Sequence, residues 1–230
     1  MSVEYAEIAR AESERGELVL RSRREDDGPA VLELRANGVF VMDTAETTSE
    51  VALATAALEL VDDPGQVLVG GLGLGYTLQA VLTDPRVERA TVVEIEQALV
   101  DWMRDGTIRH GQTILADARA HVVVADVSIA LAEAAEASYD LVLLDVDNGP
   151  GYLVHETNAA LYESPFLGLL RRIVRPGGAV VIWSASEAPD LEHNLGEVFD
   201  DVETHSYAVD LQGREDCYWL YVARQESSAR

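Results

Sequence analysis

The chain has 230 residues, 48% hydrophobic and 25% charged, enough for one large domain or a domain with a small appendage. Its formal net charge is −24, from 41 acidic residues against 17 basic ones. All the basic residues are arginine, which excludes lysine Schiff-base chemistry, and the single cysteine, Cys217, excludes an intrachain disulfide and a multi-thiolate zinc site.

Residues 1–16 read as a frayed or helical acidic lead with no secretory pattern. GELVLRSRRE then alternates apolar and polar residues, as a half-buried strand does. Asp26-Asp27-Gly28-Pro29 is a turn cluster, AVLELRA a second strand, Asn37-Gly38 a hairpin signal and VFVMD a third strand. Residues 1–48 therefore read as a lead and a small antiparallel β meander. Thr47-Thr48-Ser49-Glu50 has the hydroxyls of a helix N-terminus, and the helix is expected to run through VALATAALELV to Asp62-Asp63-Pro64-Gly65.

From residue 66 short apolar strands alternate with amphipathic helices. QVLVGG, RATVVEI, HVVVAD, YDLVLLDV and AVVIWSA are strands; YTLQAVLTD, QALVDWMRDG, SIALAEAAEA, ALYESPFLGLLRRIV and LEHNLGEVF are helices. Pro176-Gly177-Gly178 is a turn. VETHSYAV and CYWLYVA are final strands joined by a polar turn containing Gly213, and the tail QESSAR reads as disordered. The fold expected is α/β: a Rossmann-like, doubly wound, mostly parallel seven-stranded sheet over residues 49–225, with a tail at 226–230.

Four strand ends carry the candidate site. Gly70-Gly71-Leu72-Gly73-Leu74-Gly75 lies between a strand and a helix, where Gly70, Gly71, Gly73 and Gly75 allow close backbone approach and a helix N-terminus offers free amides. Glu94 ends the next strand about 20 residues beyond the loop, the spacing of a ribose-binding acid. Asp126 ends the third strand, where an acid can accept from the adenine amine or simply cap a helix. Asp145 ends the fourth, and ligands of open α/β sheets gather at this edge. Asp147 and Asn148 follow it directly. The five histidines are scattered, with His155 nearest the Asp145 loop; Trp102, Trp183 and Trp219 fit core or interface positions, and Tyr76 fits core packing or a ligand contact equally. Arg171, Arg172 and Arg175 suit a helix C-terminus.

The runs VLVGGLGLGYTLQAVL, VVEIEQALV, DARAHVVVAD, YDLVLLDVDNGP and ALYESPFLGLLRRIVRPGG resemble the spermidine synthase family of polyamine aminopropyltransferases over roughly residues 66–184. The resemblance implies a small N-terminal β domain, a Rossmann-like catalytic domain and decarboxylated S-adenosylmethionine as donor. It implies that Glu94 binds ribose, that Asp126 binds adenine, and that Asp145 sits beside the reacting centre, with Asp147 and Asn148 completing the catalytic strand end. The chain departs from the family pattern in three places. Leu72 to Gly75 lacks the loop carboxylate that holds the donor amine. Asn148 stands where a second aspartate is usual. The Tyr-His-Glu cluster is reduced to Thr48-Ser49-Glu50.

The reading is a transferase moving an alkyl or aminopropyl group from a sulfonium donor to an amine. Alternatives are a methyltransferase using S-adenosylmethionine itself, a catalytically degenerate nucleoside-binding protein and, more distantly, a dehydrogenase. A small-molecule substrate is expected, with a cationic amine drawn by the acidic surface as one reading of it. No metal, nucleic acid or membrane is expected, a homodimer is allowed, and the compartment expected is the cytoplasm. The acidity itself reads first as solubility or salt adaptation.

Overall fold

The computed structural model describes residues 3–26, 28–211 and 214–226. An antiparallel sheet of order β1-β2-β3-β4 (Val3–Ser13, Gly16–Glu25, Val31–Ala36, Val39–Asp43) precedes helix α1 (Thr48–Glu59). A seven-stranded sheet follows, of order β10-β11-β9-β8-β5-β6-β7. Its strands are β5 (Gln66–Gly70), β6 (Arg89–Glu94), β7 (Ala120–Val124), β8 (Tyr139–Leu144), β9 (Val174–Ser184), β10 (Asp201–Leu211) and β11 (Arg214–Arg224). Strands β5 to β9 pair in parallel; β11 joins β9, and β10 joins β11, in antiparallel register. The helices between are α2 (Tyr76–Thr83), α3 (Gln97–Asp105), α4 (Gly111–Leu115), α5 (Val127–Glu133), α6 (Ser164–Ile173) and α7 (Pro189–Val198). The doubly wound sheet and the small antiparallel sheet are both as expected.

Several elements differ from expectation. The acidic lead is strand β1, not a helix, and pairs with β2 from Val3↔Glu25 to Ser13↔Gly16. A register shift between Glu7 and Ala9 breaks the two-residue alternation that would have marked it. The expected helix over ALYESPFLGLLRRIV is split into a 3-10 turn (Glu156–Tyr162), an extended Glu163 and α6. Pro165 causes the break, because a continuous helix would need the amide it lacks and would set its ring against the carbonyl of Leu161, while proline suits a first helical turn. Helix α1 begins at Thr47, but no hydroxyl caps it; the amide of Thr48 donates to Glu46 Oε1 at 2.8 Å. Residues 175–178, expected as a turn, are a bulged stretch of β9, whose pairing with β8 jumps from Tyr139↔Val174 to Leu141↔Ala179 while Gly177 and Gly178 bond to Gln225. Asp27 of the first turn, Gly213 of the last and residues 227–230 of the tail lie outside the described residues.

The two sheets share a core. Leu18, Leu20 and Leu34 of the small sheet join Leu53, Val69, Leu74 and Leu143 in one buried cluster. A second cluster, on the other face, gathers Leu68, Val142, Leu167, Leu170 and Ile182. The small sheet rests on the carboxyl edge of the large one: Met42 Sδ in β4 accepts from the amide of Leu74 at 3.1 Å. At the β1–β2 turn, Ser13 Oγ donates to Glu96 Oε1 at 3.3 Å.

Arginine closes the opposite ends of the helices. Arg86 donates to the carbonyls of Leu58, Val61 and Asp62 after α1. Arg119 reaches Leu82, Asp84 and Val87 after α2. Arg172 reaches Leu131, Ala132 and Ala134 after α5. Each guanidinium satisfies carbonyls that a helix end leaves open and complements its negative dipole end. Its planar fork spans three acceptors at once, which an ammonium cannot do in the same directions. Arg119→Lys is therefore expected to lower stability by about 1–2 kcal/mol although the charge is kept. Urea denaturation measures it, and an unchanged midpoint would contradict this role.

Candidate functional site

The order of the strands creates the site. From β5 the chain winds outward to β6 and β7, then returns to lay β8 on the other flank of β5. The crevice between the diverging connections opens at the carboxyl ends of β5 and β8. There Gly71 adopts φ +93°, and a Cβ on it would stand 2.2 Å from the backbone oxygen of Asp145. Only glycine allows the two strand ends to come so close. The amide of Gly71 donates to Val93 O at 2.9 Å, so the same residue also joins the end of β6. Gly75, at φ +88°, opens α2.

Glu94 is buried at the end of β6. Its Oε2 accepts from the amide of Leu72 at 2.9 Å and its Oε1 from that of Glu96 at 2.8 Å. Burial pushes its pKa above the usual carboxylate value, and the backbone amides oppose that. Asp126 Oδ1 accepts from Ser128 N at 2.7 Å and so caps α5. Gly71, Glu94 and Asp126 line one cavity of about 110 Å³, with Ile95, Val146 and Asn158 among its other walls.

A second, larger cavity of about 1050 Å³ lies between the small sheet and the strand ends β8, β9 and β11. Asp145, Asp147 and Asn148 line it, and so do Glu50, Trp183 and Trp219. The two cavities flank residues 145–147: Val146 lines the first, and its neighbours Asp145 and Asp147 line the second. Thr77 Oγ1 donates to Asp145 Oδ2 at 2.6 Å. Burial raises the Asp145 pKa, and the Thr77 bond lowers it. Glu50 is pushed up to about 7, first by burial and then by the charge of Asp145; the 2.6 Å bond from Ser49 Oγ opposes the shift.

Of the sequence-derived candidates, Gly71, Glu94 and Asp126 line the smaller cavity and Asp145, Asp147 and Asn148 the larger; Gly70, Gly73 and Gly75 line neither, and a Cβ at Gly73 or Gly75 would meet the side chain of Met42 or Met103. Asp147 faces the larger cavity with both its oxygens engaged by its own loop. Glu50 was visible in sequence only as the remnant of a cluster, because α1 brings it from far along the chain. Trp183 and Trp219 pack half-buried against the core and also wall the cavity, and Trp102 is buried as expected. Tyr76 stacks on His110 with ring centroids 4.9 Å apart, and His110 Nε2 lies 2.7 Å from Leu74 O. Leu74, in the loop that lacks an acid, is fully buried in the core. Among the described residues no group of three or more His, Cys, Asp or Glu is placed to hold a metal. No described helix is long and apolar enough to cross a membrane.

Comparison with known proteins places this geometry. The chain is 32% identical over 176 residues to polyamine aminopropyltransferase 2 of Pseudomonas aeruginosa, covering 72% of this chain and 48% of the relative. It is 27% identical over 232 residues to the polyamine aminopropyltransferase of Aeropyrum pernix, covering 93% of this chain and 71% of that one. The chain thus spans about half the length of the first relative. The crystal structure of spermidine synthase from Thermotoga maritima superposes with a TM-score of 0.75 over 96% of this chain and 74% of that chain. A spermidine synthase in complex with the transition state analogue AdoDATO gives 0.77 over the same shares. Both structures are 18% identical to this chain, and their likeness is one of fold. Residues 46–207, from the link before α1 to β10, match the model of the spermine/spermidine synthase domain, and the chain belongs to that family.

Proposed function

We propose that this chain transfers an aminopropyl group from decarboxylated S-adenosylmethionine to an amine. The observation that carries the reading is the pair of cavities flanking residues 145–147: Glu94 and Asp126 line one, the buried Glu50 and the half-buried Asp145 the other. The residues of the smaller cavity suit an adenosyl group. Glu94 uses two acceptor sites on backbone amides, and an ionised carboxylate has about four. Two remain for ribose hydroxyls. Asp126 stands at the next strand end for the adenine amine.

The larger cavity suits the acceptor. A protonated amine entering it would meet Glu50 and Asp145, and its charge would favour ionisation of both. A carboxylate near pKa 7 takes a proton from an alkylammonium more readily than an ordinary one, because the gap in pKa is smaller. The freed nitrogen lone pair then forms a bond to the donor carbon next to the sulfonium. The carbon–sulfur bond breaks, its electron pair stays on sulfur, and methylthioadenosine leaves. Both protons of the new secondary ammonium remain with the product, and the abstracted proton remains on the carboxylate. Placement in line supplies most of the acceleration.

Leu74 favours a second reading, methyl transfer from S-adenosylmethionine. Its buried side chain gives the glycine loop no acid to hold a donor amine or to repel a donor carboxylate. The products separate the two: methylthioadenosine marks aminopropyl transfer, S-adenosylhomocysteine marks methylation. Incubation with each donor and a panel of amines, followed by chromatography, decides. Neither product with any acceptor would overturn both readings.

Two variants test the named acids. Glu94→Ala is expected to weaken methylthioadenosine binding about tenfold or more in calorimetry. Unchanged affinity would remove its ribose role. Glu50→Gln is expected to lower activity, while wild-type activity climbs with pH through about 7 as Glu50 ionises. Its effect on stability runs the other way. Because the folded state raises the Glu50 pKa from 4.5 to about 7, wild-type stability falls across that interval as pH rises. Glu50→Gln should match the wild type below pH 4.5 and exceed it at pH 8, by on the order of 2–3 kcal/mol. A variant less stable than the wild type at pH 8 would contradict the buried charge.

A further inference from the structure

Two carboxylates in the wall of the larger cavity compete for one proton. Burial pushes up both Glu50 and Asp145, and Glu50 also feels the charge of Asp145. Two such neighbours do not ionise independently, so near neutrality one proton is left on the pair. The other groups that face the pair do not take it. Burial, and then the charges of Glu50 and Asp43 on Tyr76 and of Asp147 and Asp145 on Tyr162, raise both phenols, which therefore stay neutral. Glu46 adds negative charge beside Glu50, and Asp147 is engaged by its own loop. Arg23, which lines the same cavity, is paired with Asp43 at 3.2 Å. The place of the proton is left to the hydroxyls that bond the pair.

Those hydroxyls are unequal. Thr77 lies in the first turn of α2, directly beyond the glycine loop, and is 2% exposed. Its Oγ1 donates to Asp145 Oδ2 at 2.6 Å, the one hydrogen bond of this hydroxyl among the described residues. A hydroxyl has one proton to give. A proton on Asp145 Oδ2 would strand the Thr77 proton in the core, which is costly. A proton on Oδ1 would leave the bond to a neutral acceptor and weaken it. Ser49 Oγ donates to Glu50 Oε2 at 2.6 Å, but Ser49 is half-buried and lines the larger cavity. Its hydroxyl can turn, accept from a protonated Glu50 and give its own proton to water. The Thr77 bond thus favours charge on Asp145, whereas Ser49 serves either state of Glu50.

We propose that Thr77 is a positioning residue whose hydroxyl keeps the charge of the pair on Asp145 and leaves the exchangeable proton to Glu50. The division gives each acid one task. Asp145, held ionised, draws the acceptor ammonium to the end of β8. Glu50, once it has lost its proton to solvent, takes one proton from that ammonium, whose nitrogen keeps the electron pair. Thr77 stands on the helix that the glycine loop opens, so the donor side of the crevice fixes the charge on the acceptor side.

The catalytic half of the inference rests on the aminopropyl reading, the place of the charge does not, and two readouts separate them. Thr77→Val keeps the shape and removes the hydroxyl; Thr77→Ser keeps the hydroxyl. The first readout is carboxyl-carbon NMR of the free protein, with Asp145→Asn and Glu50→Gln assigning the two signals. At about pH 6, below the value of about 7 to which Glu50 is pushed up, wild-type Asp145 should report an ionised carboxyl and Glu50 a protonated one. Thr77→Val should move the Asp145 signal toward the protonated position, and Thr77→Ser should return it. The second readout is turnover of decarboxylated S-adenosylmethionine with an amine. Thr77→Val should lower kcat about tenfold or more with the donor KM within about twofold of wild type, and Thr77→Ser should recover most of the loss. A protonated Asp145 in the wild type, or carboxyl signals unchanged by Thr77→Val, would overturn the role. So would a donor KM that rises as kcat falls, since that marks damage to the glycine loop. Wild-type protein that forms no methylthioadenosine would instead overturn the aminopropyl reading, and the carboxyl signals would still decide where the charge lies.

Discussion

The approach of Gly71 to the Asp145 backbone is the constraint on which the site depends. A Cβ at Gly71 would lie 2.2 Å from the Asp145 oxygen, far inside van der Waals contact. The absence of a side chain lets β5 and β8 finish side by side, with Asp145 N donating to Gly70 O at 2.8 Å. The next residues then diverge. One branch runs through the glycine loop into α2, the other through Asp145 to Asn148. The smaller cavity opens beside the first branch, the larger beside the second, and residues 145–147 run between them. A donor on one side and an acceptor on the other would meet at that seam.

The chain handles charge in two ways. Guanidinium groups take the carbonyl ends of α1, α2 and α5, away from the site. Near the site they balance acids in the small sheet, where Arg23 and Arg21 meet Asp43 and Glu33 at 3.2 and 2.6 Å. Glu94, Glu50 and Asp145 have no such partner among the described ion pairs. Burial raises the pKa of all three. Backbone amides hold Glu94, single hydroxyls hold Glu50 and Asp145, and an incoming cation would supply the missing charge. In the proposed reaction Glu50 and Asp145, kept in this state, exchange a proton with the amine, whereas Glu94 serves the nucleoside.

Much of this was legible in the sequence, for physical reasons that can be named. Strands buried on both faces read as short apolar runs, so β5 to β9 stood out, and acids at their ends marked the edge where Glu94, Asp126 and Asp145 now lie. Strand β1 was hidden because its bulge between Glu7 and Ala9 disrupts period two. Glu50 was hidden because its meeting with Asp145 is made by the packing of α1 against the large sheet, which leaves no local spacing. Trp183 and Trp219 look like core residues in apolar strands. The register of β9 and β11, with Leu220 opposite Trp183 and Trp219 opposite Ser184, puts the two on opposite faces of the sheet, and it is Tyr218 that meets Trp183, with ring centroids 5.2 Å apart. Asp147 was recognised as a site residue, yet its bonds to Val154 and Asn158 follow from a loop conformation that composition does not encode.

A crystal structure of the complex with methylthioadenosine is the most direct measurement of the central claim. The account predicts the ribose hydroxyls on Glu94, the adenine beside Asp126, and the thioether sulfur at the seam facing Asp145 and Glu50. A nucleoside bound elsewhere, or one lying in this cavity with its sulfur turned away from Asp145, would contradict it.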